Sequence, residues 1–325
     1  MDAVADYYGR FAALEARGSS AIFEDWALGI AGDVEVRSLI AHLPRPKQQA
    51  NLVFAASRSK GAPLAEYDVF REWLLSRWAE VVPVVLARST QTNEAARCAT
   101  LLPHIASISG PVALLEVGAS AGLCLYPDRY SYRYHSAGTL HKVDPKDGPS
   151  SVVLDCDLRG ALDVPIRLPD VFWRGGVDLN PIDVTDIDSL NWLEALVWPE
   201  HDERRARLRA AARIVAQDPP LLVAGDLNAE VANRAAQAPD DATLVVFHSA
   251  VLAYLEVEDR DRFVDQVSAL DAVWLSNEGV AVLPELAAQL PTGIAVNGDF
   301  VLAKNGVPVA LTARHGQYYR ALPTT

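Results

Sequence analysis

Apolar side chains in the first third of the chain recur every three to four residues, the spacing of one helix face. The longest such stripe contains Phe70, Leu74, Trp78 and Val81. Clusters of glycine, serine and proline interrupt the pattern, as they do between helices. Residues 1–107 are therefore predicted to form a helical amino-terminal domain.

From residue 108 onward, short apolar runs of strand length alternate with helical stretches. The expected strands lie at 111–117, 171–179, 221–224, 243–247 and 272–275. The expected helices lie at 203–217, 229–238 and 259–270. Such alternation is typical of a mainly parallel sheet with helices on both faces. We predict an α/β domain over 108–325.

Two features modify this simple α/β pattern. The tail contains two strand-like runs, 294–303 and 308–313, joined through Asn305-Gly306, which predicts a closing antiparallel hairpin. Sixty residues separate Gly118 from Asp178, whereas a plain strand–helix–strand unit needs only about 30. An insertion is therefore expected at about 125–170, with extended segments at 129–135 and 151–158.

Composition limits the class of protein and its partners. The chain has 325 residues, of which 50% are hydrophobic and 22% charged, values typical of a globular protein of about two domains. The formal charge of −13 argues against a nucleic-acid partner or attachment to an anionic membrane. We expect a small-molecule substrate, and the sequence leaves the oligomeric state open.

The cysteines and the amino terminus indicate the cellular setting. Cys98, Cys124 and Cys156 form no CxxC pair, so neither a disulfide framework nor a metal site is expected. The first residues lack the order of a signal peptide, and no apolar run reaches the ~18 residues of a membrane span. A cytoplasmic location is expected.

The first motif with chemical potential is a glycine loop at the end of the first expected strand, comprising Glu116, Gly118, Ser120 and Gly122. Ligands bind at the carboxyl ends of strands in open α/β sheets, and glycine lets backbone approach a ligand closely. A tight strand-to-helix turn without a ligand is the simpler alternative. A dinucleotide site is less favoured, because the GxGxxG pattern is absent.

Two carboxylates, Asp178 and Asp226, close the second and third expected strands of the sheet. Placed at one sheet edge, they can accept hydrogen bonds from the hydroxyl and amino groups of a nucleoside. Each of them alone would more often be a helix cap or an exposed loop acid.

The same loop also fits a nucleophile elbow, with Ser120 as the nucleophile of a serine hydrolase. Asp226 or Glu278 with His315 would complete the order of acid and histidine. The closing hairpin argues against this alternative.

His248 follows the fourth expected strand and is the candidate catalytic residue, as a general base or an orienting group. Its alternative is a structural histidine. Glu278, after the fifth strand, is a candidate substrate-binding residue, as are Asn93 and Glu94 in a polar segment before a helix. The arginines of 204–213 are expected on a solvated helix face.

The order of the loop and carboxylates resembles the class I S-adenosylmethionine-dependent methyltransferases over about 110–325. The resemblance implies a Rossmann-like methyltransferase fold whose seven-stranded sheet ends in a hairpin, and S-adenosylmethionine as cofactor. It places Glu116 near the methionine end, Asp178 at the ribose and Asp226 at adenine. Ser120 departs from the pattern, because the middle position is usually glycine.

Several longer motifs are similar to one bacterial family, the domain of unknown function 2332. They are RSTQTNEAARCA, EVGASAGL, DRYSYRY, GVDLNPIDV, LVWPEH and VVFHSAVLAYL. This resemblance implies a methyltransferase-like fold and no established reaction. The predicted function is a methyltransferase acting on a small molecule, with a non-catalytic ligand-binding protein on the same fold as the alternative.

Overall fold

A computed structural model describes residues 2–323 and divides the chain into two compact units. The first comprises the chain up to Thr92 together with Thr185–Ala206. The second comprises Asn93–Val184 together with the chain from Arg207 onward. The chain therefore passes between the units three times. The segment 93–107, which the sequence groups with the helical region, belongs to the α/β unit.

The first unit contains helices and connecting loops in its described residues and no strand, as the pattern predicts. Its helices are α1 (Ala3–Phe11), α2 (Ala21–Gly32), α3 (Val34–Ala41), α4 (Ala50–Ser59), α5 (Tyr67–Ala87) and α7 (Ile187–Leu196). Aromatic rings fill its core, where Trp26 stacks on Phe70 at 3.8 Å between ring centroids. Trp192 of α7 is buried in the same core, so the later segment completes the earlier helices.

The second unit contains every strand that the structure describes. The strands are β1 (Pro111–Val117), β2 (Ser131–Ser136), β3 (Thr139–Val143), β4 (Val153–Arg159), β5 (Asp170–Asp178), β6 (Leu221–Ala224), β7 (Thr243–Ser249), β8 (Val273–Gly279), β9 (Phe300–Lys304), β10 (Val307–Thr312) and β11 (Tyr318–Ala321). The helices of this part are α6 (Cys98–Ile105), α8 (Asp202–Gln217), α9 (Leu227–Ala235), α10 (Val257–Ser268) and α11 (Pro284–Ala288), and α8 begins before the unit boundary.

The strands form one sheet in the order β3-β2-β4-β11-β10-β9-β8-β7-β1-β5-β6. β1 lies between β5 and β7 and is parallel to both. Its residues are buried because it is covered on both faces, which explains the continuous apolar run. On one face Leu115 and Val246 pack with Val231 of α9 and Phe263 of α10.

The sheet differs in two respects from the expected seven strands ending in a hairpin. The hairpin β9–β10 is present, but β10 also pairs with β11, and β11 pairs with β4 of the insertion. The insertion adds β2, β3 and β4 to the same sheet. The expected terminal hairpin is therefore internal to an eleven-stranded sheet, and the 60-residue step contains the three added strands β2, β3 and β4.

Candidate functional site

The carboxyl ends of β5, β1 and β7 bring three predicted site regions to one sheet edge. Val117, the last residue of β1, is level with Val177 of β5 and His248 of β7. The glycine loop therefore begins beside Asp178. β6 lies on the far side of β5, with Ala224 level with Asp178. Parallel register thus places Asp226 at the same edge, two residues beyond β6.

Every backbone N–H of the loop 118–122 donates to an acceptor within the protein. The donor-to-acceptor pairs are Gly118 N to Val177 O at 2.8 Å, Ala119 N to Val177 O at 3.1 Å, Ser120 N to Asp178 Oδ2 at 2.8 Å, Ala121 N to Asn93 Oδ1 at 2.9 Å and Gly122 N to Ala119 O at 2.6 Å. In this structure the loop offers no unused N–H to a ligand.

Asn93 lies at the glycine loop and holds it by two hydrogen bonds. Its Nδ2 donates to Ser120 Oγ at 2.8 Å, and its Oδ1 accepts from Ala121 N. Asn93 precedes the short 3-10 turn Ala95–Arg97, which leads directly into α6. Its contacts are those of a residue that positions the loop, and its predicted substrate contact stays a prediction.

Asp178 holds the loop from the opposite side. Besides Ser120 N, its carboxylate accepts from Asn180 N at 2.8 Å through Oδ1. The carboxylate is partly exposed, and each oxygen has a second lone pair. Asp178 can therefore accept hydrogen bonds from a ligand without releasing the loop. Leu179 beside it exposes 68% of its surface and offers an apolar contact next to the carboxylate.

The loop glycines are required by contacts with the protein itself. Gly118 has φ +74°, and a Cβ there would lie 2.5 Å from a methyl of Val251. Gly122 has φ +67°, and a Cβ there would lie 3.0 Å from Pro220. The sequence predicted a close approach of ligand to these glycines. The structure instead places Val251 and Pro220 against them.

Glu116 is a buried carboxyl at the end of β1, 7% exposed. Burial raises its pKa well above the usual range, and Cys124 adds to the rise while Arg97 opposes it. Its Oε2 has no hydrogen-bond partner among the described residues. Glu116 is therefore a buried carboxyl near the loop with a raised pKa and one oxygen without a described partner.

Asp226 caps α9, the alternative that the sequence allowed for a lone acid. Its Oδ1 accepts from Asn228 N at 2.9 Å and from Ala229 N at 3.1 Å. The residue is exposed, so its other oxygen faces solvent at the sheet edge. A contact with adenine is compatible with the cap and stays a prediction.

His248 is completely buried, and both of its ring nitrogens contact protein groups. Nδ1 lies 2.8 Å from Glu278 Oε1, and Trp274 Nε1 donates to Nε2 at 3.1 Å. Because Nε2 accepts from the indole N–H, the proton of a neutral ring is on Nδ1. This geometry favours a structural role for His248 over the predicted role as a general base.

Glu278 anchors the loop that follows β7. Besides the histidine, its Oε1 accepts from Val251 N at 3.0 Å and Leu252 N at 3.2 Å. This anchor sets the position of Val251, which packs on Gly118. The contacts of Glu278 in this structure support the glycine loop indirectly, and substrate binding by Glu278 stays a prediction.

Glu94 is a buried carboxylate in an ion pair with the half-buried Arg207, which the sequence did not predict. It is 3% exposed, and its Oε1 accepts from Arg207 Nε at 2.9 Å. Arg207 belongs to the arginine run that was expected on a solvated face. Arg97 is also buried, and donates to the Ser249 and Arg314 carbonyls. Neither arginine could be singled out from local sequence, because their partners are distant in the chain.

The described contacts of Ser120 do not favour the hydrolase alternative. Its Oγ accepts from Asn93 Nδ2, and His248 at this edge bonds to Glu278 and Trp274. The role of His315, the histidine named for that alternative, stays a prediction. A serine nucleophile needs a histidine nitrogen in hydrogen-bond reach. Within residues 2–323 there is also no group of three His, Cys, Asp or Glu side chains suited to a metal.

The fold and site together define a mixed α/β protein with a loop, two carboxylates and a buried acid gathered at one sheet edge. Residues 5–320 match a family described as an uncharacterized protein conserved in bacteria, DUF2332. The chain belongs to that family, as its motifs predicted. No curated protein and no solved structure matches it. None of the described helices has the length and apolar character of a membrane span.

Proposed function

We propose that the protein is an S-adenosylmethionine-dependent methyltransferase that acts on a small molecule. The observation that carries the proposal is the Asp178 carboxylate, which lies against Ser120 N at the edge formed by β1 and β5. It is a partly exposed acceptor beside the loop, suited to the paired hydroxyls of a ribose. Exposed Leu179 next to it suits the face of a purine.

The charge of the edge agrees with this ligand. Asp178 and Asp226 supply carboxylates to the edge, the buried Glu116 adds a carboxyl acceptor, and no loop N–H is unused. Such a site suits hydroxyl and amino donors and a cationic sulfonium better than a phosphate. The cofactor, when bound, supplies an activated methyl group. The task of the chain is then to hold methyl donor and acceptor in line and to exclude water.

Calorimetry tests the proposal directly. Titration of the protein with S-adenosylmethionine and with its demethylated product is expected to show saturable binding of both. Replacing Asp178 with Ala should weaken binding by about 1.5–3 kcal/mol, because hydrogen bonds to a charged acceptor are lost. Absence of binding by the wild-type protein would refute the proposal, and unchanged affinity in the variant would refute the ribose role.

A non-catalytic ligand-binding protein is the second candidate function. The observation that favours it is His248, because both nitrogens of this predicted general base contact protein groups and neither is open to a substrate. One measurement distinguishes the two functions. Transfer of a labelled methyl group to a metabolite mixture supports the methyltransferase, whereas cofactor binding without transfer supports the binding protein.

A further inference from the structure

The loop 118–122 has the backbone form of an anion-binding nest. Gly118, Ser120 and Gly122 have positive φ, at 74°, 48° and 67°, whereas Ala119 and Ala121 between them do not. Alternation of this kind turns neighbouring N–H groups toward one concave side. Loops that bind phosphate at strand ends use such N–H groups as donors. The backbone alone is therefore suited to a phosphate.

Side chains of the same unit already fill this nest. Asp178 Oδ2 accepts from Ser120 N at 2.8 Å, and Asn93 Oδ1 accepts from Ala121 N at 2.9 Å. The carboxylate supplies both the oxygen and the negative charge that a phosphate would bring. A phosphate at the loop would have to displace this acceptor and remain beside its charge, because Asn180 N also holds Asp178 there.

We infer that Asp178 and Asn93 are specificity-determining residues that make the site reject ligands bearing phosphate. The inference rests on the proposed function in one respect, because it concerns the same site. Discrimination between ligands often comes from a charge that repels the wrong one. The site thereby discriminates between a nucleoside without phosphate and the nucleotides and dinucleotides that share its base and ribose.

Inorganic pyrophosphate is the probe that tests the inference, because it has phosphate charge and no ribose. Calorimetry with Asp178→Ala is compared with Asp226→Ala, which removes one carboxylate from the same edge without touching the loop. The wild-type protein and the Asp226 variant are expected to bind pyrophosphate at most in the millimolar range. The Asp178 variant is expected to bind at least about tenfold tighter, because Ser120 N becomes free.

Two further variants separate nest occupancy from a loss of structure. Asp178→Asn is nearly isosteric and removes only the charge, so it should show a smaller gain even if the alanine variant folds poorly. In the Asp178→Ala background, Asn93→Asp restores a carboxylate at the loop and should abolish the gained binding. If the substitutions at Asp178 merely disorder the loop, neither Asp178→Ala nor Asp178→Asn will bind pyrophosphate more tightly than the wild-type protein. That result would overturn the inference.

The outcomes for the two proposals are distinguishable. Failure of the wild-type protein to bind S-adenosylmethionine overturns the proposed function and leaves the pyrophosphate result intact. Pyrophosphate binding by the wild-type protein at micromolar concentration, or equal affinity of the Asp178→Ala and Asp226→Ala variants, overturns the inference about phosphate rejection.

Discussion

At the scale of single residues, the buried carboxyl of Glu116 makes stability depend on pH. Its pKa is raised from 4.5 by burial, so the native state keeps the proton where the unfolded chain has lost it. The stability from this group is complete below pH 4.5 and is lost as pH rises toward the raised pKa.

We expect Glu116→Gln, which mimics the neutral acid, to remove the loss of stability that occurs as pH rises. Between pH 5 and the raised pKa, the variant should gain about 1.4 kcal/mol per pH unit relative to wild type. Urea unfolding at pH 5, 6 and 7 measures the difference. Exposed Glu72→Gln serves as the control and should show none. A difference that stays constant with pH would show that Glu116 is ionised in the native state.

The Glu278–His248 pair allows a second residue-scale prediction. Glu278→Ala leaves the buried His248 ring and two loop N–H groups without their acceptor. The free energy of unfolding should fall by about 3 kcal/mol or more. Hydrogen exchange at Val251 and Leu252 should accelerate, because their shared acceptor is gone. Unchanged exchange at these two amides would contradict the anchoring role.

At the scale of elements, the contact between the β1 loop and the β7 loop can be tested by a glycine substitution. Gly118→Ala combines positive φ with a Cβ 2.5 Å from Val251, whereas Gly61 has φ +86° and open space around it. Gly61→Ala should cost about 1–2 kcal/mol from backbone strain alone. Gly118→Ala should cost about 1–3 kcal/mol more, from overpacking.

Val251→Gly provides the matching partner for a double-mutant cycle, because the Cβ of Val251 would lie 2.6 Å from the new Cβ and one of its methyls 2.5 Å from it. By removing both atoms, it should reduce the cost of Gly118→Ala to about that of Gly61→Ala. Thermal unfolding of the four combinations measures the coupling. Additive effects would mean that Val251 does not limit the space above the loop.

The elements differ in how far sequence could predict them. β1, β6, β7 and β8 contain short apolar runs of strand length, so local pattern was sufficient to predict them. β11 was missed, because Tyr318–Ala321 is short and its pairing with β4 joins segments about 160 residues apart. The same limit applies to Glu94, whose partner Arg207 lies on a helix that local charge pattern assigns to solvent.

The contacts of the candidate site also divide into those that the sequence could predict and those that it could not. Parallel register made the meeting of Asp178 with the glycine loop predictable, since both follow neighbouring strands. The hydrogen bonds of Asn93 to Ser120 and Ala121 were not predictable in detail, because they depend on where the chain enters the second unit. The closure of Gly118 by Val251 depends on the path of a loop, which apolar periodicity does not encode.

At the scale of the whole molecule, the first unit is expected to depend on Thr185–Ala206. This segment gives the core Trp192 and Ala195, and the Ala195 carbonyl accepts from Arg58 at 2.7 Å. Replacing 185–206 with a glycine–serine linker should therefore expose the core of α1–α5. Hydrogen exchange should rise across these helices and stay low in β1 and β7. Continued protection of α1–α5 would show that they fold without the segment.

The three passages of the chain between the units also affect the order in which the protein can fold during synthesis. The helices α1–α5 leave the ribosome first, yet α7, which buries Trp192 among them, is made only after β1–β5. During that interval, the aromatic core of the first unit lacks part of its cover. A nascent chain halted before residue 185 should therefore expose apolar surface and bind chaperones, although 184 of these 325 residues have been made.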